Sequence, residues 1–398
     1  MKCNEIIILT SYASLDVYYN ANKDLLNLLS NEFNNIYIVN SENLKLFWIN
    51  KKFNKKSFLN YPKKINFINP KNFKELDNFI QGKKPLIINN IKRGFEFYKL
   101  LSFINKRKIP QILIGHTGNI QSTVFFWHGY NNFKLIPYFF KNQFPRWISR
   151  LLVFFKIFSP IDIRFTSNRK HYEHFIKKSK KNFFIKFPSY FKKWVLVKSK
   201  IFDPFDKKSR TALSEKYILL IDQEPEYSQM KEVSILNKNL IKEHYEKMNR
   251  LLLNLSKTFK KEVIISIHPL YDLKRTSRRF KNYKVVRMQT INYIRKSFLV
   301  VFFDSSAILP AFILKKKIIC VQADLFKGRR YNSDLYRDFL DLKALNINDD
   351  LKINKNKFIK DLNNKTKYYK NYLNNISGSN LRQSGSKSII EHIKRRYF

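Results

Sequence analysis

Several polar side chains in the second half of the sequence directly follow apolar runs of the kind that form buried strands. The runs are "KYILLI", "EVIISI" and "FLVVFF", and the polar residues after them are Asp222, Glu224, His268, Ser305 and Ser306. A carboxylate can take a proton from a hydroxyl, an imidazole can bind or protonate a phosphate, and serine hydroxyls can donate hydrogen bonds to it. This combination indicates group transfer with a phosphate-containing substrate.

The serine pair lies where a buried strand gives way to a predicted helix. A helix start offers unpaired backbone N–H groups and the positive end of the helix dipole, so flanking hydroxyls would complete a phosphate site. Pro310 falls near the first turn, where a missing N–H matters least. Ordinary N-capping by a serine is the alternative. Asp304 is interpreted as a turn or capping residue that holds the serines.

His268 ends another predicted strand, and Pro269 both stops that strand and biases His268 to an extended backbone. The histidine precedes Ser305 by about 37 residues, which is one βαβ unit and predicts a nearby strand. Thr290, at the end of the next apolar run, completes the predicted donor-binding set of His268, Pro269, Thr290, Ser305 and Ser306. A purely structural histidine is the alternative.

The predicted general base is Asp222 or Glu224, because a carboxylate at a strand end can face a cleft and accept a proton. Turn formation before Pro225 is the alternative role for both. The first half contributes His128 in "FFWHGY" as another candidate base, since Gly129 permits a tight turn after the strand. Asp16 and His116 are further candidates there.

The elements that would position these residues alternate between short apolar runs and helical patterns throughout the chain. Such alternation predicts parallel βαβ units, and ligands of open parallel sheets bind at the carboxyl ends of the strands. The predicted fold is α/β and GT-B-like, with two Rossmann-like domains whose parallel sheets face an interdomain cleft. The predicted segments are an acceptor-side domain, a crossing, a donor-binding domain and a helical tail, at 1–175, 176–215, 216–345 and 346–398.

Composition describes a globular, strongly basic protein. The 398 residues are 44% hydrophobic, and 77 Lys and Arg against 30 Asp and Glu leave a formal charge of +47. Such a charge attracts phosphates, acidic lipids and nucleic acid alike, although an AT-rich coding bias would produce it too. Because the basic residues are spread along the chain and no RNA-binding signature accompanies them, no nucleic-acid partner is expected.

Cysteine usage and hydropathy predict a cytoplasmic location. Cys3 and Cys320 both lie in or beside apolar runs, where a small buried thiol is the expected role in a reducing compartment. No run reaches the 18 apolar residues of a transmembrane helix. The segment 131–160 is rich in Phe, Trp, Lys and Arg; helix packing is its default interpretation, and a basic aromatic face at the inner surface of the cytoplasmic membrane is the alternative.

Several catalytic motifs are missing from the sequence. It contains no phosphate-binding P-loop, no GxGxxG after the first strand and no HExxH or Cys/His metal cluster. No Asp-x-Asp stands at a predicted strand end to hold a metal for a nucleotide diphosphate. An ATPase, a dehydrogenase of the usual type and a zinc hydrolase are disfavoured, and no metal or cofactor is predicted.

The motifs "IISIHP" and "TINYIRKSFLVVFFDSSAILPAFILKKKIICV" resemble the donor-binding domain of bacterial envelope-polysaccharide transferases with the GT-B architecture, among them sialyltransferases and related lipopolysaccharide enzymes. In that family, a His-Pro pair and a Ser-Ser or Ser-Thr pair bind the phosphate and ribose side of a CMP-sugar, and an acidic strand-end residue is the base. The resemblance implies donor binding by His268, Pro269, Ser305 and Ser306, with Asp222 as base.

A second family, the CDP-glycerol glycerophosphotransferases of teichoic-acid and capsule synthesis, is similar over the same region. Its Trp-His-Gly, His-Pro and Asp-Tyr-Ser-Ser motifs correspond in order to "WHG" at 127–129, "HP" at 268–269 and "DSSA" at 304–307. The tyrosine of the last motif is absent here, and so is the usual continuation after Trp-His-Gly.

Together these observations predict a metal-independent glycosyltransferase of lipopolysaccharide or capsule assembly. Its expected partners are a nucleotide-activated sugar, most simply a CMP-sugar, a glycan or glycolipid acceptor, and an anionic membrane surface. The alternatives are a polyol-phosphate transferase, a hydrolysing nucleotide-sugar epimerase with the same fold, and a non-catalytic or nucleic-acid-binding basic protein.

Overall fold

Two separate parallel sheets, each with its own hydrophobic core, form the framework of the protein in a computed structural model. The structure describes residues 2–10, 15–44, 61–91, 97–115, 148, 151–169, 172–173, 191–199, 215–222, 224, 238–268, 271–287, 289–303, 305–322, 342–347, 354–366, 369 and 383–398. Within this part, the first compact unit holds the residues up to 199 together with 383–398, and the second holds those from 215 to 369.

The first unit is built on seven parallel strands in the order β3-β2-β1-β4-β5-β6-β7. Most of them are apolar runs that are buried on both faces, as parallel strands covered by helices must be; all six residues of β1 are buried. Its elements are β1 (Glu5–Thr10), α1 (Leu15–Glu32), β2 (Ile36–Asn40), β3 (Ile65–Ile68), α2 (Phe73–Ile80), β4 (Pro85–Asn89), α3 (Tyr98–Lys106), β5 (Gln111–Ile114), β6 (Ile161–Thr166) and β7 (Phe191–Leu196).

The second unit has six parallel strands in the order β10-β9-β8-β11-β12-β13. Its three central strands, β8, β9 and β11, end in the polar residues singled out above, and all five residues of β8 and of β9 are buried. Its elements are β8 (Tyr217–Ile221), α4 (Lys238–Phe259), β9 (Val263–Ile267), α5 (Leu273–Arg279), β10 (Lys284–Arg287), α6 (Thr290–Lys296), β11 (Ser297–Phe302), α7 (Leu309–Ile313), β12 (Lys317–Gln322), β13 (Lys343–Asn346) and α8 (Lys355–Thr366).

Both sheets therefore have the Rossmann strand order 3-2-1-4-5-6, with a seventh strand added to the first sheet. The predicted α/β class and the two Rossmann-like domains with parallel sheets are confirmed. In each sheet the direction in which successive strands are added reverses at one point. This point lies between β1 and β4 in the first unit and between β8 and β11 in the second.

The last helix, α9 (Gly385–Tyr397), belongs to the first unit. Its apolar face, which includes Ile389 and Ile393, enters the core formed by α1 and β1. The N–H of Cys3 donates to the carbonyl of Tyr397 at 2.6 Å, and Lys394 pairs with Glu32 at 2.6 Å. The predicted tail over 346–398 is thus divided between the units, because α8 packs against β12 and β13 while α9 packs against α1.

The stretch predicted as the crossing between domains contains β7, which pairs in parallel with β6. Strand β7 lies at the edge of the sheet, and Lys192 and Lys193 on it are exposed. An edge strand is covered on fewer sides than a central one, so its sequence does not need the continuous apolar run that identified the other strands. The boundary at 175 is therefore corrected: the first unit continues through β7.

Both cysteines are buried and carry free thiols, as expected of small apolar residues in a core. Cys3 lies beside β1, and burial raises the pKa of its thiol. Cys320 lies inside β12, where it is fully covered.

In the described part of the chain, no helix has the length and apolar character needed to cross a membrane.

Candidate functional site

Three of the predicted site residues follow three adjacent strands of the second sheet. Strand β8 lies between β9 and β11, so Asp222 after β8 has His268 on one side and Ser305 on the other along the carboxyl edge. The register aligns Ile221 with Ser266 and with Phe302, which brings the three strand ends to a similar level. This edge, at the strand-order reversal between β8 and β11, is where open α/β sheets bind their ligands.

Asp222 occupies the centre of this edge and is 2% exposed. Its backbone N–H still donates to the carbonyl of Ser266 at 2.9 Å, so the residue is held by the last rung of the β8–β9 ladder. The hydroxyl of Tyr245, on α4, donates to Asp222 Oδ2 at 3.4 Å. A short side chain fixed in this way presents its carboxylate with little conformational freedom, which is what a positioned acid or base requires.

Glu224 is fully buried and is held by α5. Its Oε2 accepts a hydrogen bond from Arg275 Nη2 and lies 3.7 Å from Arg279 Nη1, while Thr276 Oγ1 donates to Oε1 at 2.5 Å. Each carboxylate oxygen is therefore already engaged by a charged or hydroxyl donor. Such partners offset the hydration that a buried carboxylate loses, and this arrangement ties α5 to the segment that follows β8.

Arg279 and Tyr245 connect the two carboxylates. The guanidinium of Arg279 lies 4.5 Å from the centre of the Tyr245 ring, and its Nη1 donates to the Tyr245 hydroxyl at 3.3 Å. Since that hydroxyl in turn donates to Asp222, one continuous network runs from Glu224 through Arg279 and Tyr245 to Asp222. This network orients the carboxylate of Asp222 through side chains of α4 and α5.

His268 lies on the other side of Asp222 along the sheet edge, directly after β9. Its imidazole keeps an exposed side toward solvent while its ring packs against Tyr271, with ring centres 5.1 Å apart. The carbonyl of His268 accepts from the Tyr271 N–H at 3.0 Å, which closes the turn into α5. Partial burial lowers the pKa of His268 below its ordinary value of 6.5, so at neutral pH the ring is uncharged and donates from one nitrogen.

If a nucleotide phosphate binds beside His268, its binding should tighten as the pH falls, because the phosphate would raise the pKa of His268 above its lowered value in the free protein. Between the pKa of the free protein and that of the complex, binding takes up a proton. In this range the affinity rises by up to about tenfold for each unit by which the pH falls. Calorimetric titration at several pH values on either side of 6.5 measures this dependence. Affinity that is independent of pH, or the same pH dependence in His268→Asn, would show that the imidazole does not face the phosphate.

Ser305 forms the third part of the edge. Its Oγ accepts a hydrogen bond from the N–H of Ala307 at 3.3 Å, and a 3-10 turn over Ser306–Ile308 leads from it into α7. The serine therefore caps the turn, as the alternative interpretation proposed, and its hydroxyl proton remains to be donated to a ligand. Because the 3-10 turn is followed by only five α-helical residues, the helix contributes a smaller dipole than a long helix would.

Thr290, the first residue of α6, shares a hydrogen bond of 2.7 Å with Ser266 on β9. This contact fixes the start of α6 to the strand that leads to His268. Of the other predicted residues, the backbone of Ser306 is described within the 3-10 turn, whereas His128, Pro269, His116 and Asp304 lie outside the described residues. The helix α1 contains Asp16, whose side chain is also outside the described part.

The residues that sequence reasoning missed are those of the network behind Asp222. Tyr245 lies in the middle of a long amphipathic helix, where the sequence predicts that an aromatic residue belongs to the hydrophobic core. Arg275 and Arg279 lie in a basic run, for which the sequence predicts a solvent-exposed helix face. The one available signal is the spacing of the two arginines, four residues apart, which places both on one side of α5. Their acidic partner, Glu224, lies about fifty residues earlier, so no local pattern in the sequence indicates the ion pair.

Among the described residues, uncharged polar side chains lie at the carboxyl edge of the first sheet. At its strand-order reversal, Thr10 ends β1 and Asn89 ends β4, and both are buried. The Nδ2 of Asn89 donates to Gln111 Oε1 at 2.9 Å, and the Nδ2 of Asn90 donates to the Tyr18 hydroxyl at 2.9 Å. Amides and hydroxyls held in this way provide both donors and acceptors without a net charge. Within the described residues, no group of three or more His, Cys, Asp and Glu side chains could hold a metal ion.

No family model matches the chain, and no curated protein matches it in sequence. Solved structures do match over almost the whole length. A putative UDP-N-acetylglucosamine 2-epimerase from Listeria monocytogenes is 11% identical with a TM-score of 0.52, and the match covers 99% of this chain and 96% of that one. The wall teichoic acid polymerase TagF is 12% identical with a TM-score of 0.54, over 98% of this chain and 88% of that one.

The calicheamicin glycosyltransferase CalG4 is 12% identical with a TM-score of 0.51, and the match covers 99% of both chains. At identities this low the likeness concerns the fold alone. The chain has the GT-B fold of two Rossmann-like domains.

Proposed function

We propose that this protein is a metal-independent glycosyltransferase that moves a sugar from a nucleotide-activated donor, a CMP-sugar, to a lipopolysaccharide or capsule acceptor. The observation that carries the proposal is the row of His268, Asp222 and Ser305 at the carboxyl ends of three adjacent strands. In this row a candidate base lies between two groups able to hold a phosphate. Its position at the strand-order reversal of a Rossmann-like sheet is that of a nucleotide site.

The donor phosphate would be bound by neutral hydrogen-bond donors. The Ser305 hydroxyl retains its proton for donation, and the neutral His268 ring donates from one nitrogen. The Ser306 hydroxyl and the Thr290 hydroxyl are proposed as further contacts to the nucleotide, and Pro269 is proposed to bias the backbone of His268 toward an extended conformation. Donors aimed at the leaving phosphate stabilise the negative charge that develops on it as the sugar departs.

In the transfer step, Asp222 would accept the proton of the acceptor hydroxyl. The acceptor oxygen forms a bond to the anomeric carbon of the sugar, and the bond from that carbon to the donor phosphate oxygen breaks, so the nucleotide leaves with the bonding electrons. We assign the base to Asp222 because both oxygens of Glu224 are engaged by Arg275 and Thr276. Glu224 then acts by positioning α5, and His128 is the alternative base.

The carboxyl edge of the first sheet is the proposed acceptor side. Glycan hydroxyls are uncharged and each can both donate and accept, which matches the chemistry of the half-buried amide of Asn90, next to the buried ends of β1 and β4. The likeness to TagF and CalG4, a polymerase of wall teichoic acid and a glycosyltransferase, supports a group-transfer enzyme. We place the activity in the cytoplasm, at the inner face of the cytoplasmic membrane, where such acceptors are assembled.

A thermal-shift screen with CMP, CDP, UDP and GDP tests donor binding. A nucleotide present at about 100 times its Kd should stabilise the protein by about 2.7 kcal/mol, with CMP or CDP the most effective. Ser305→Ala and His268→Ala should each weaken that binding by about tenfold, the loss expected for one hydrogen bond to a charged group. Ser256→Ala serves as control, since its hydroxyl bonds the carbonyl of Lys261 at the amino end of the same sheet.

Two results would refute donor binding at this edge. Unchanged affinity in both Ser305→Ala and His268→Ala would place the nucleotide elsewhere. Stabilisation by none of the four nucleotides, together with salt-sensitive RNA binding, would identify a nucleic-acid-binding protein instead.

A polyol-phosphate transferase is the second candidate, favoured by the likeness to TagF and by the order of "WHG", "HP" and "DSSA" in the sequence. Incubation with CDP-glycerol and with CMP-sugars in parallel separates the two by product mass, since one adds a glycerol phosphate and the other a sugar. Because the fold is also similar to that of a putative UDP-N-acetylglucosamine 2-epimerase, a third incubation contains UDP-N-acetylglucosamine alone. An epimerase would convert UDP-N-acetylglucosamine with no acceptor present.

A further inference from the structure

Two adjacent phenylalanines on the first unit are exposed to an unusual degree. Phe154 and Phe155 expose 54% and 64% of their surface, more than any other large hydrophobic residue in the described part of the chain. Their rings are in edge contact, with centres 5.3 Å apart, so they form one continuous apolar surface. A contiguous exposed apolar surface next to polar residues is typical of a site that binds an apolar partner.

The pair is held in place by a turn at 155–156 that ends the helical residues 151–154. The N–H groups of Phe155 and Lys156 donate to the carbonyls of Leu151 and Val153 at 2.9 and 3.0 Å, and Lys156 takes a left-handed φ of 58°. Val153 on one side and Phe158 on the other are buried in the core of the first unit. Exposure of the two rings is therefore a property of a fixed turn and not of a frayed end.

Cations line a cavity that is linked to this turn through Asn105. The Nδ2 of Asn105 donates to the carbonyl of Lys156 at 2.9 Å, which joins the turn to the end of α3, and Asn105 also lines a neighbouring cavity of about 500 Å³. Lys108, Lys192 and Arg396 line the same cavity and are exposed. The acidic residue of the lining, Asp162, is already paired with Lys192 at 2.7 Å and accepts from the N–H of Gln111.

We infer that Phe154, Phe155 and Lys156, together with Lys108, Lys192 and Arg396, form a docking surface for an anionic phospholipid bilayer. The two rings insert at the level of the headgroups, where aromatic side chains are favoured, and the cations bind lipid phosphates around them. A membrane fits this surface because it combines an apolar interior with a negatively charged face. The inference concerns a surface of the first unit alone and does not depend on the proposed transfer reaction.

Vesicle sedimentation of the full chain tests the surface. We expect binding to vesicles of phosphatidylglycerol and phosphatidylcholine, and little to pure phosphatidylcholine. Phe154→Ser with Phe155→Ser should weaken it by about 10- to 100-fold, since the apolar contribution of both rings is lost. The matched control is Leu253→Ser with Leu273→Ser, which removes two exposed hydrophobic residues from the second unit and should leave binding unchanged.

A charge-matched comparison separates a localised surface from the general attraction of a chain with a net charge of +47. The double variant Lys108→Glu with Arg396→Glu removes two cations from the surface. Since each cation contributes about fivefold to the affinity for an anionic membrane, the variant should bind well over tenfold more weakly. Lys357→Glu with Lys360→Glu, on α8, makes the same change of net charge in the second unit and should have a much smaller effect. Equal losses in the two variants would overturn the inference.

Fluorescence quenching gives a readout that does not rely on loss of binding. Tryptophan placed by Phe155→Trp should be quenched by brominated lipid in anionic vesicles, whereas tryptophan placed by Leu253→Trp should not. Absence of additional quenching in Phe155→Trp relative to the native protein would overturn the inference even if the serine variant failed to fold.

Discussion

The variant Asp222→Asn should lose transfer activity by about 10²- to 10⁴-fold while it retains nucleotide affinity, because it removes the proposed base and preserves the shape of the side chain. The amide can still accept the hydrogen bond from Tyr245, so the packing behind it is kept. The loss should appear in kcat and leave the Kd of the nucleotide unchanged. Steady-state kinetics with an accepted donor, together with nucleotide titration, measure the two quantities separately.

Two comparisons make this result specific. Asp361→Asn, on α8 of the same unit, is a matched change away from the site and should leave kcat unchanged. His128→Asn tests the alternative base in parallel. If His128→Asn lost activity by the stated factor and Asp222→Asn did not, the base would lie in the first half of the chain and Asp222 would have no role in proton transfer.

Glu224→Gln should destabilise the second unit by about 2–3 kcal/mol, because it leaves two guanidinium groups without their buried counter-charge. Loss of one partner from a fully buried pair costs roughly 3–5 kcal/mol. The side chains of Arg275 and Arg279 keep 34% and 19% of their surface exposed, so water screens part of the loss and lowers the expected value. Urea unfolding of the full chain, followed by circular dichroism, measures this change.

Glu246→Gln is the matched control for this prediction. Glu246 pairs with Lys242 at 3.8 Å on the exposed side of α4, where both side chains are more than half exposed. Removal of such a surface pair should change the free energy of unfolding by less than about 0.5 kcal/mol. Equal stability of Glu224→Gln and Glu246→Gln would contradict a structural role for the buried ion pair, and Glu224 would return as a candidate base.

The central strands of both sheets could be predicted from the sequence because parallel strands are buried on both faces. Strands β8, β9 and β11 consist mainly of Ile, Leu, Val, Tyr and Phe, interrupted only by Ser266 in β9 and Ser297 at the start of β11. A polar residue follows each strand within three positions. Strands β3 and β7 carry exposed positions at the sheet edges, which interrupt the apolar run. Their places in the first sheet follow only from the pairing with β2 and β6.

The positions of the candidate site residues at strand ends could be predicted for the same reason, since the end of a strand is visible locally. Asp222, His268 and Ser305 are each identified by their distance from an apolar run, and the carboxyl-edge rule predicts that they converge. The different surroundings of the two carboxylates were not visible. Asp222 and Glu224 both follow β8 in the sequence, and only the tertiary structure shows that α5 side chains bind Glu224 whereas Tyr245 binds Asp222.

By itself, the sequence determined the α/β class, the two-domain division, and the strand ends at which chemistry could occur, because burial of short apolar segments leaves a local pattern. Tertiary structure alone decided the order of the strands, the docking of α9 on the first unit, and the ion pairs that occupy Glu224. Those features depend on contacts between residues that are tens to hundreds of positions apart, such as Lys394 with Glu32. Such contacts form when the chain packs, and no local pattern of residues specifies them.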